Sequence, residues 1–240
     1  MCATCGCSVS PGPPAHDHAH GHGHTVTLEQ KVLARNDELA ARNRSWLTQR
    51  GIRAVNMMSS PGSGKTTLLE RTIRDLAGET DMAVVEGDQE TSFDADRIDA
   101  TGCSVVQVNT GAGCHLDAEM LAGALRALDP RPRSVVFIEN VGNLVCPALF
   151  DLGETSRAVV MSVTEGADKP LKYPYMFRIA DIVVLNKMDL LPYLDFPVDR
   201  FRHYLDRVRP GATVLEVSAT KGDGMSGWYS WLLDAVDGER

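Results

Sequence analysis

Ser59-Ser60-Pro61-Gly62-Ser63-Gly64-Lys65-Thr66-Thr67 follows a short apolar run over residues 54–59 and leads into a helix-forming run over residues 68–77. That order of strand, glycine-rich turn and helix fits the phosphate-binding P-loop, with Ser59 standing where the first glycine usually is. Gly62 and Gly64 let backbone N–H groups turn toward phosphate oxygens, and the helix N-terminus adds a favourable dipole. Ser63 and Thr67 complete the cradle. Lys65 is expected to neutralise the β- and γ-phosphates, and the Thr66 hydroxyl to ligate Mg²⁺.

Around this loop, apolar runs at residues 54–59, 82–86, 104–109, 134–139, 157–163, 182–186 and 213–217 alternate with helical patterns. The alternation predicts an α/β fold, a mostly parallel sheet flanked by helices, with ligands beyond the carboxyl ends of the strands. Residues 135–138 and 182–185 are apolar without alternation, as in strands buried on both faces. Upstream, Leu28, Val32, Leu39 and Trp46 recur at helical spacing, and Gly51 is a plausible stop. Residues 1–25 are rich in Cys, Gly, Pro and His with almost no large apolar side chain, so they are expected to be a mobile tail. The division is therefore a tail over 1–25, a helix over 26–50 and a P-loop domain over 51–240.

The apolar fraction of 43% with 6% aromatic residues suits a Val/Leu/Ala-built α/β core. A net charge of -8 argues against nucleic acid as a partner, because a phosphate backbone would be repelled. No window has the roughly 20 apolar residues of a membrane span, and no secretory signal opens the chain, which places the protein in the cytoplasm. Cysteines at 2, 5, 7, 103, 114 and 146 are then more suited to metal than to disulfides.

Asn186-Lys187-Met188-Asp189 ends a strongly apolar run and resembles the guanine-recognition motif of GTPases. The Asp189 carboxylate can accept from the guanine ring N–H and exocyclic amine together. Ser218-Ala219-Thr220 resembles the loop that closes over the same base. Glu139-Asn140-Val141-Gly142 stands where most GTPases have an Asp and then a Gly three residues later. Glu139 can reach a Mg²⁺-bound water, and the Gly142 N–H could sense the γ-phosphate. Asp88, after Val85-Glu86-Gly87, is a second carboxylate for Mg²⁺ or for positioning water.

Cys2, Cys5 and Cys7 can bring three thiolates to one soft ion, with the Met1 amine or a backbone nitrogen as a fourth ligand. A square plane would suit Ni²⁺ and a tetrahedron Zn²⁺. His16, His18, His20, His22 and His24 alternate with small or polar residues and offer imidazoles for storage or delivery. Cys114-His115 and Cys146 fall at the loop edge of the sheet, where ligands near the γ-phosphate-sensing segment would move with nucleotide state. As neighbours, 114 and 115 are poorly suited to complete a four-coordinate site with one further ligand, so ligands shared by two subunits are expected. Cys103 is read as core.

Together, the P-loop, Glu86-Gly87-Asp88, Gly111-Ala112-Gly113-Cys114-His115, Glu139 through Pro147, Val163-Thr164-Glu165-Gly166 and Asn186-Lys187-Met188-Asp189 resemble the HypB family of hydrogenase nickel-incorporation GTPases, from about residue 27 onward. In that family's pattern Ser59, Glu139 and Cys146-Pro147 are the norm. The resemblance implies GTP hydrolysis to GDP, nickel delivery to the large subunit of [NiFe] hydrogenase alongside other nickel-maturation proteins, and GTP-dependent homodimerisation. It also implies a metal site at the dimer interface made by Cys114, His115 and Cys146. A related maturation GTPase serving urease or another metalloenzyme, or a metal-storage protein on a GTPase scaffold, are the competing readings.

Overall fold

A computed structural model describes residues 22–88, 92–111 and 113–237, with side chains between 30 and 233. Cys2, Cys5, Cys7, His16, His18 and His20 lie outside the described residues; His22 and His24 fall in helix α1 without described side chains. Met1–Ala34 and Arg35–Arg240 are separate compact units, the first described only by the N-terminal part of α1.

Helix α1, His22–Gln49, begins at His22 rather than at 26. Once a helix is nucleated each added residue gains a hydrogen bond, so residues of indifferent propensity extend it. It stops where expected, with Gly51 at φ 61°, the left-handed conformation glycine adopts at little cost. The chain continues as β1 Arg53–Ser59, α2 Lys65–Asp75, β2 Met82–Asp88, α3 Phe93–Asp99, β3 Ser104–Asn109, α4 Ala118–Leu128, β4 Val135–Glu139, α5 Cys146–Leu149 and β5 Ser156–Ser162. Then come α6 Lys169–Lys172, α7 Pro174–Ile179, β6 Ile182–Asn186, a 3₁₀ turn Met188–Tyr193, α8 Val198–Val208, β7 Val214–Glu216 and α9 Met225–Asp237.

The seven strands are ordered β3-β2-β4-β1-β5-β6-β7, and every pairing is parallel. Parallel pairing puts all the carboxyl ends on one edge, so Ser59, Asp88, Glu139 and Asn186 share it.

Burial explains the unbroken apolar runs. Along β4, Val135 and Phe137 enter one core cluster with Leu68, Leu69 and Trp228, while Val136 and Ile138 enter another with Leu47, Leu121 and Leu152. Along β6, Ile182 and Val184 join the first cluster, whereas Val183 and Leu185 join a third with Phe177 and Phe201. Successive strand residues face opposite sides of the sheet, and here both sides are covered by helices. Cys103 is buried in the first cluster, and burial pushes its thiol up to about 11, which fits the core assignment.

Candidate functional site

The turn after β1 needs two glycines. Gly62 (φ 74°) and Gly64 (φ 93°) both hold positive φ, and a Cβ on Gly64 would stand 2.6 Å from Asn186 Nδ2. The Lys65 ammonium donates to Ser59 Oγ at 2.8 Å, and Ser59 Oγ in turn donates to the Ser60 carbonyl at 2.7 Å. The Ser59 hydroxyl is therefore an acceptor for the P-loop lysine, a role that a glycine there could not fill.

Thr66 donates its hydroxyl to Glu139 Oε1 at 2.7 Å, which brings the two expected Mg²⁺-associated residues together. Glu139 pairs in register with Glu86 across β4 and β2, and both side chains are buried. Burial raises the affinity of each carboxyl for its proton. Glu86 is carried up to about 8, first by burial and then by the charge of Glu139, while Lys65 and Thr66 pull Glu139 back toward the charged form. Oε2 of each carboxylate is buried and finds no hydrogen-bond partner among the described residues. Unpaired buried carboxylate oxygens beside a threonine hydroxyl and a lysine match the oxygen-donor chemistry of a hard divalent cation bound with phosphate. Asp88 ends β2 half-buried, and its carbonyl accepts from the Thr110 N–H at 2.9 Å. Gly142 packs on the P-loop, since a Cβ there would lie 3.0 Å from Pro61 Cα. The Thr67 hydroxyl accepts from Arg97 of α3 at 3.1 Å.

The guanine-type loops are tied directly to this turn. Asn186 Nδ2 donates to the Ser63 carbonyl at 3.1 Å, and its Oδ1 accepts from the N–H groups of Lys187 (2.7 Å) and Ala219 (3.1 Å). Lys187 reaches the Gly62 carbonyl at 2.7 Å, and Ser218 donates to Asp189 Oδ1 at 2.6 Å. Asn186 thus fixes three loops at once and leaves Asp189 oriented by Ser218.

At the same edge, Cys114, His115 and Cys146 each offer a ligand atom, and these atoms lie within 4.8 Å of one another. One chain therefore gathers all three, including the adjacent pair 114 and 115, and any shortfall from four ligands is a single position. His115 stacks on Phe150 with centroids 3.9 Å apart. Burial lowers its affinity for a proton, against the pull of Asp117, which favours the neutral imidazole that binds metal. Asn143 Oδ1 accepts from the Val145 and Cys146 N–H groups (2.7 and 3.4 Å) and holds the start of α5.

Three contributors escape a reading of spacing alone. Glu86 looks like one more residue of a strand, Ser59 like a lost glycine, and Phe150 like ordinary core; only pairing across the sheet and between loops reveals them. Glu165 is a fourth, gripping the P-loop through Ser60, which donates to its Oε2, with Lys169 3.2 Å away.

Residues 53–216 match the model of the CobW/HypB/UreG nucleotide-binding domain. A Rhizobium leguminosarum bv. viciae protein named "Hydrogenase maturation factor HypB" is 55% identical over 207 residues, covering 86% of this chain and 69% of that protein. A Helicobacter pylori protein named "Hydrogenase/urease maturation factor HypB" is 39% identical, covering 87% of each. A crystal structure of HypB from Helicobacter pylori in complex with nickel superposes with a TM-score of 0.79 at 38% identity, covering 85% of this chain and 96% of that one.

Proposed function

The chain belongs to the HypB branch of the CobW/HypB/UreG P-loop GTPase family, and on that premise we propose that it hydrolyses GTP to GDP and phosphate and delivers nickel during [NiFe] hydrogenase maturation. The observation that carries the reading is the convergence of Cys114, His115 and Cys146 within 4.8 Å on the sheet edge that bears the P-loop. Nickel is the cargo; soft thiolates with one imidazole suit it, and Zn²⁺ is the competing ion.

In the nucleotide half, Gly62, Ser63, Gly64, Thr67 and the start of α2 cradle phosphates. Lys65 leaves Ser59 to neutralise the β- and γ-oxygens, and Asp189, held by Ser218, reads guanine with Asn186, Lys187 and Ala219. Mg²⁺, when bound, supplies positive charge that offsets the charge developing on the transferring phosphoryl group. Thr66 and Glu139 would hold it, with Asp88 orienting a water and Gly142 meeting the γ-phosphate. Cys2, Cys5, Cys7 and the histidines at 16, 18 and 20, together with His22 and His24 at the start of α1, act as a metal-binding segment ahead of the domain over 51–240. The protein works in the cytoplasm as a GTP-dependent homodimer, the second copy or water completing the metal's ligands, with the hydrogenase large subunit and other maturation proteins as partners.

The test is nickel incorporation into a purified hydrogenase large-subunit precursor. Protein loaded with Ni²⁺ and GTP should transfer metal, while Lys65→Ala and the Cys114→Ala, Cys146→Ala pair should not. Equal transfer by all of them would end the proposal. The Helicobacter pylori relative named for both hydrogenase and urease maturation motivates a parallel assay with apo-urease, where transfer would widen the client range.

A further inference from the structure

The metal-ligand cluster sits on two segments, residues 113–117 and the start of α5 with the turn that follows it to 153, and one buried polar network reaches both. Asn140 follows Glu139 directly at the end of β4. Its Oδ1 accepts from the N–H of Leu116, the residue after His115, at 3.1 Å, and from its neighbour Val141 at 3.0 Å. Asn140 Nδ2 donates to Asn56 Oδ1 at 3.3 Å, and Asn56 Nδ2 donates to Glu154 Oε1 at 3.1 Å. Glu154 Oε2 accepts from the Leu152 N–H at 2.8 Å, two residues past Phe150, the ring on which His115 stacks. Asn56, Asn140 and Glu154 are all at most 6% exposed, so each lost bond would strand a buried polar group.

A second contact acts on the same residue. Leu116 is fully buried against Gly87, between Glu86 and Asp88, and a Cβ on Gly87 would come within 2.7 Å of the Leu116 side chain. Leu116 is thus clamped by the ends of both strands that carry the nucleotide-facing carboxylates. Packed and hydrogen-bonded elements of this kind shift between discrete arrangements rather than deform smoothly.

We propose that Asn140 is the positioning residue that passes the nucleotide state of the Glu139 strand end to the Cys114–His115–Cys146 cluster, through the Leu116 amide on one side and Asn56–Glu154 on the other. The inference rests on the nucleotide and metal roles proposed above. Asn140 contributes no metal ligand in this scheme; it sets how far apart the two ligand-bearing segments lie.

The test uses the full chain carrying Cys2→Ala, Cys5→Ala and Cys7→Ala, so that thiolate-to-nickel charge-transfer absorption reports the cluster. Ni²⁺ is titrated with GDP and with a non-hydrolysable GTP analogue, each with Mg²⁺. The two affinities should differ by about 5- to 150-fold in this background, the usual span for coupled sites. Asn140→Ala should bring that ratio to within about two-fold of one while nickel still binds. An undiminished ratio in Asn140→Ala would overturn the proposal and leave the functional reading intact. Absence of any nickel signal in the background protein would sink the functional reading as well. A ratio of one in the background protein, with nickel bound, overturns the coupling itself. Should Asn140→Ala not fold, amide hydrogen exchange at Leu116 in the background protein decides. At least about a five-fold difference between the two nucleotide states is expected, and equal exchange overturns the proposal.

Discussion

The nucleotide half and the metal half of the sheet edge are held by different means. In the first, side chains of a few short motifs bind one another directly: Asn186 to the Ser63 carbonyl, Lys187 to the Gly62 carbonyl, Lys65 to the Ser59 hydroxyl. In the second, Cys114 Sγ and His115 Nδ1 share a long sulfur hydrogen bond of 3.8 Å. Their placement comes from residues far away in sequence, such as Asn36, whose amide spans the Ala118 N–H and the Asp151 carbonyl. The motif-rich half is built to bind one fixed ligand shape, whereas the other hangs on tethers that a distant event can move.

Four changes would break or sharpen that contrast. Lys65→Ala removes the cation expected to offset charge on the transferring phosphoryl group, and GTP turnover should fall on the order of 10³-fold in a phosphate-release assay. Nickel should still bind at Cys114, His115 and Cys146; its loss would mean that the two halves are one unit.

Glu86→Gln probes the buried carboxylate pair. The Glu86 carboxyl is raised from its ordinary 4.5 to about 8, so its protonated form favours the native state. Its contribution is complete below pH 4.5 and is lost as pH rises through 8. In urea unfolding with EDTA, the variant should match wild type near pH 4.5 and exceed it by a few kcal/mol above pH 8. A gain that is the same at every pH would remove the carboxyl from the explanation.

Asp189→Asn exchanges a charged acceptor for an amide. GTP affinity should drop about 10²-fold, two charge-assisted hydrogen bonds being at stake, with xanthosine triphosphate taking GTP's place. Wild-type turnover of ATP as fast as GTP would contradict the base assignment. Smallest is Phe150→Ala, which takes away the ring beneath His115. Nickel affinity should weaken about 10-fold, in line with one aromatic stack, with GTP binding unchanged. An unaltered nickel titration would show that the ring does not hold the imidazole.

Most of the nucleotide half is legible in the sequence, because its expected chemistry is written within single loops. Gly62 and Gly64, Lys65 and Thr66, and Asn186 with Asp189 each act within a few residues, at the end of a strand whose apolar run marks it. The metal half was legible as ligand types, since Cys114, His115 and Cys146 are visible in the sequence, but not as a convergence. Spacing alone does not show that these three ligand atoms, two after β3 and one at the start of α5, lie within 4.8 Å of one another in one chain.

Sequence alone settled the strand and helix order, the parallel sheet, the phosphate loop and the identity of the candidate ligands, because each depends on local periodicity or on residues close in the chain. Tertiary structure decided that Glu86 faces Glu139, that Ser59 holds Lys65, that Phe150 backs His115, and that Asn140 bonds Leu116 on one side and Asn56 on the other. Those relations join residues far apart in sequence or depend on how a turn directs its side chains. They follow from strand order and loop paths, which the packing of both sheet faces fixes and no short stretch of sequence encodes.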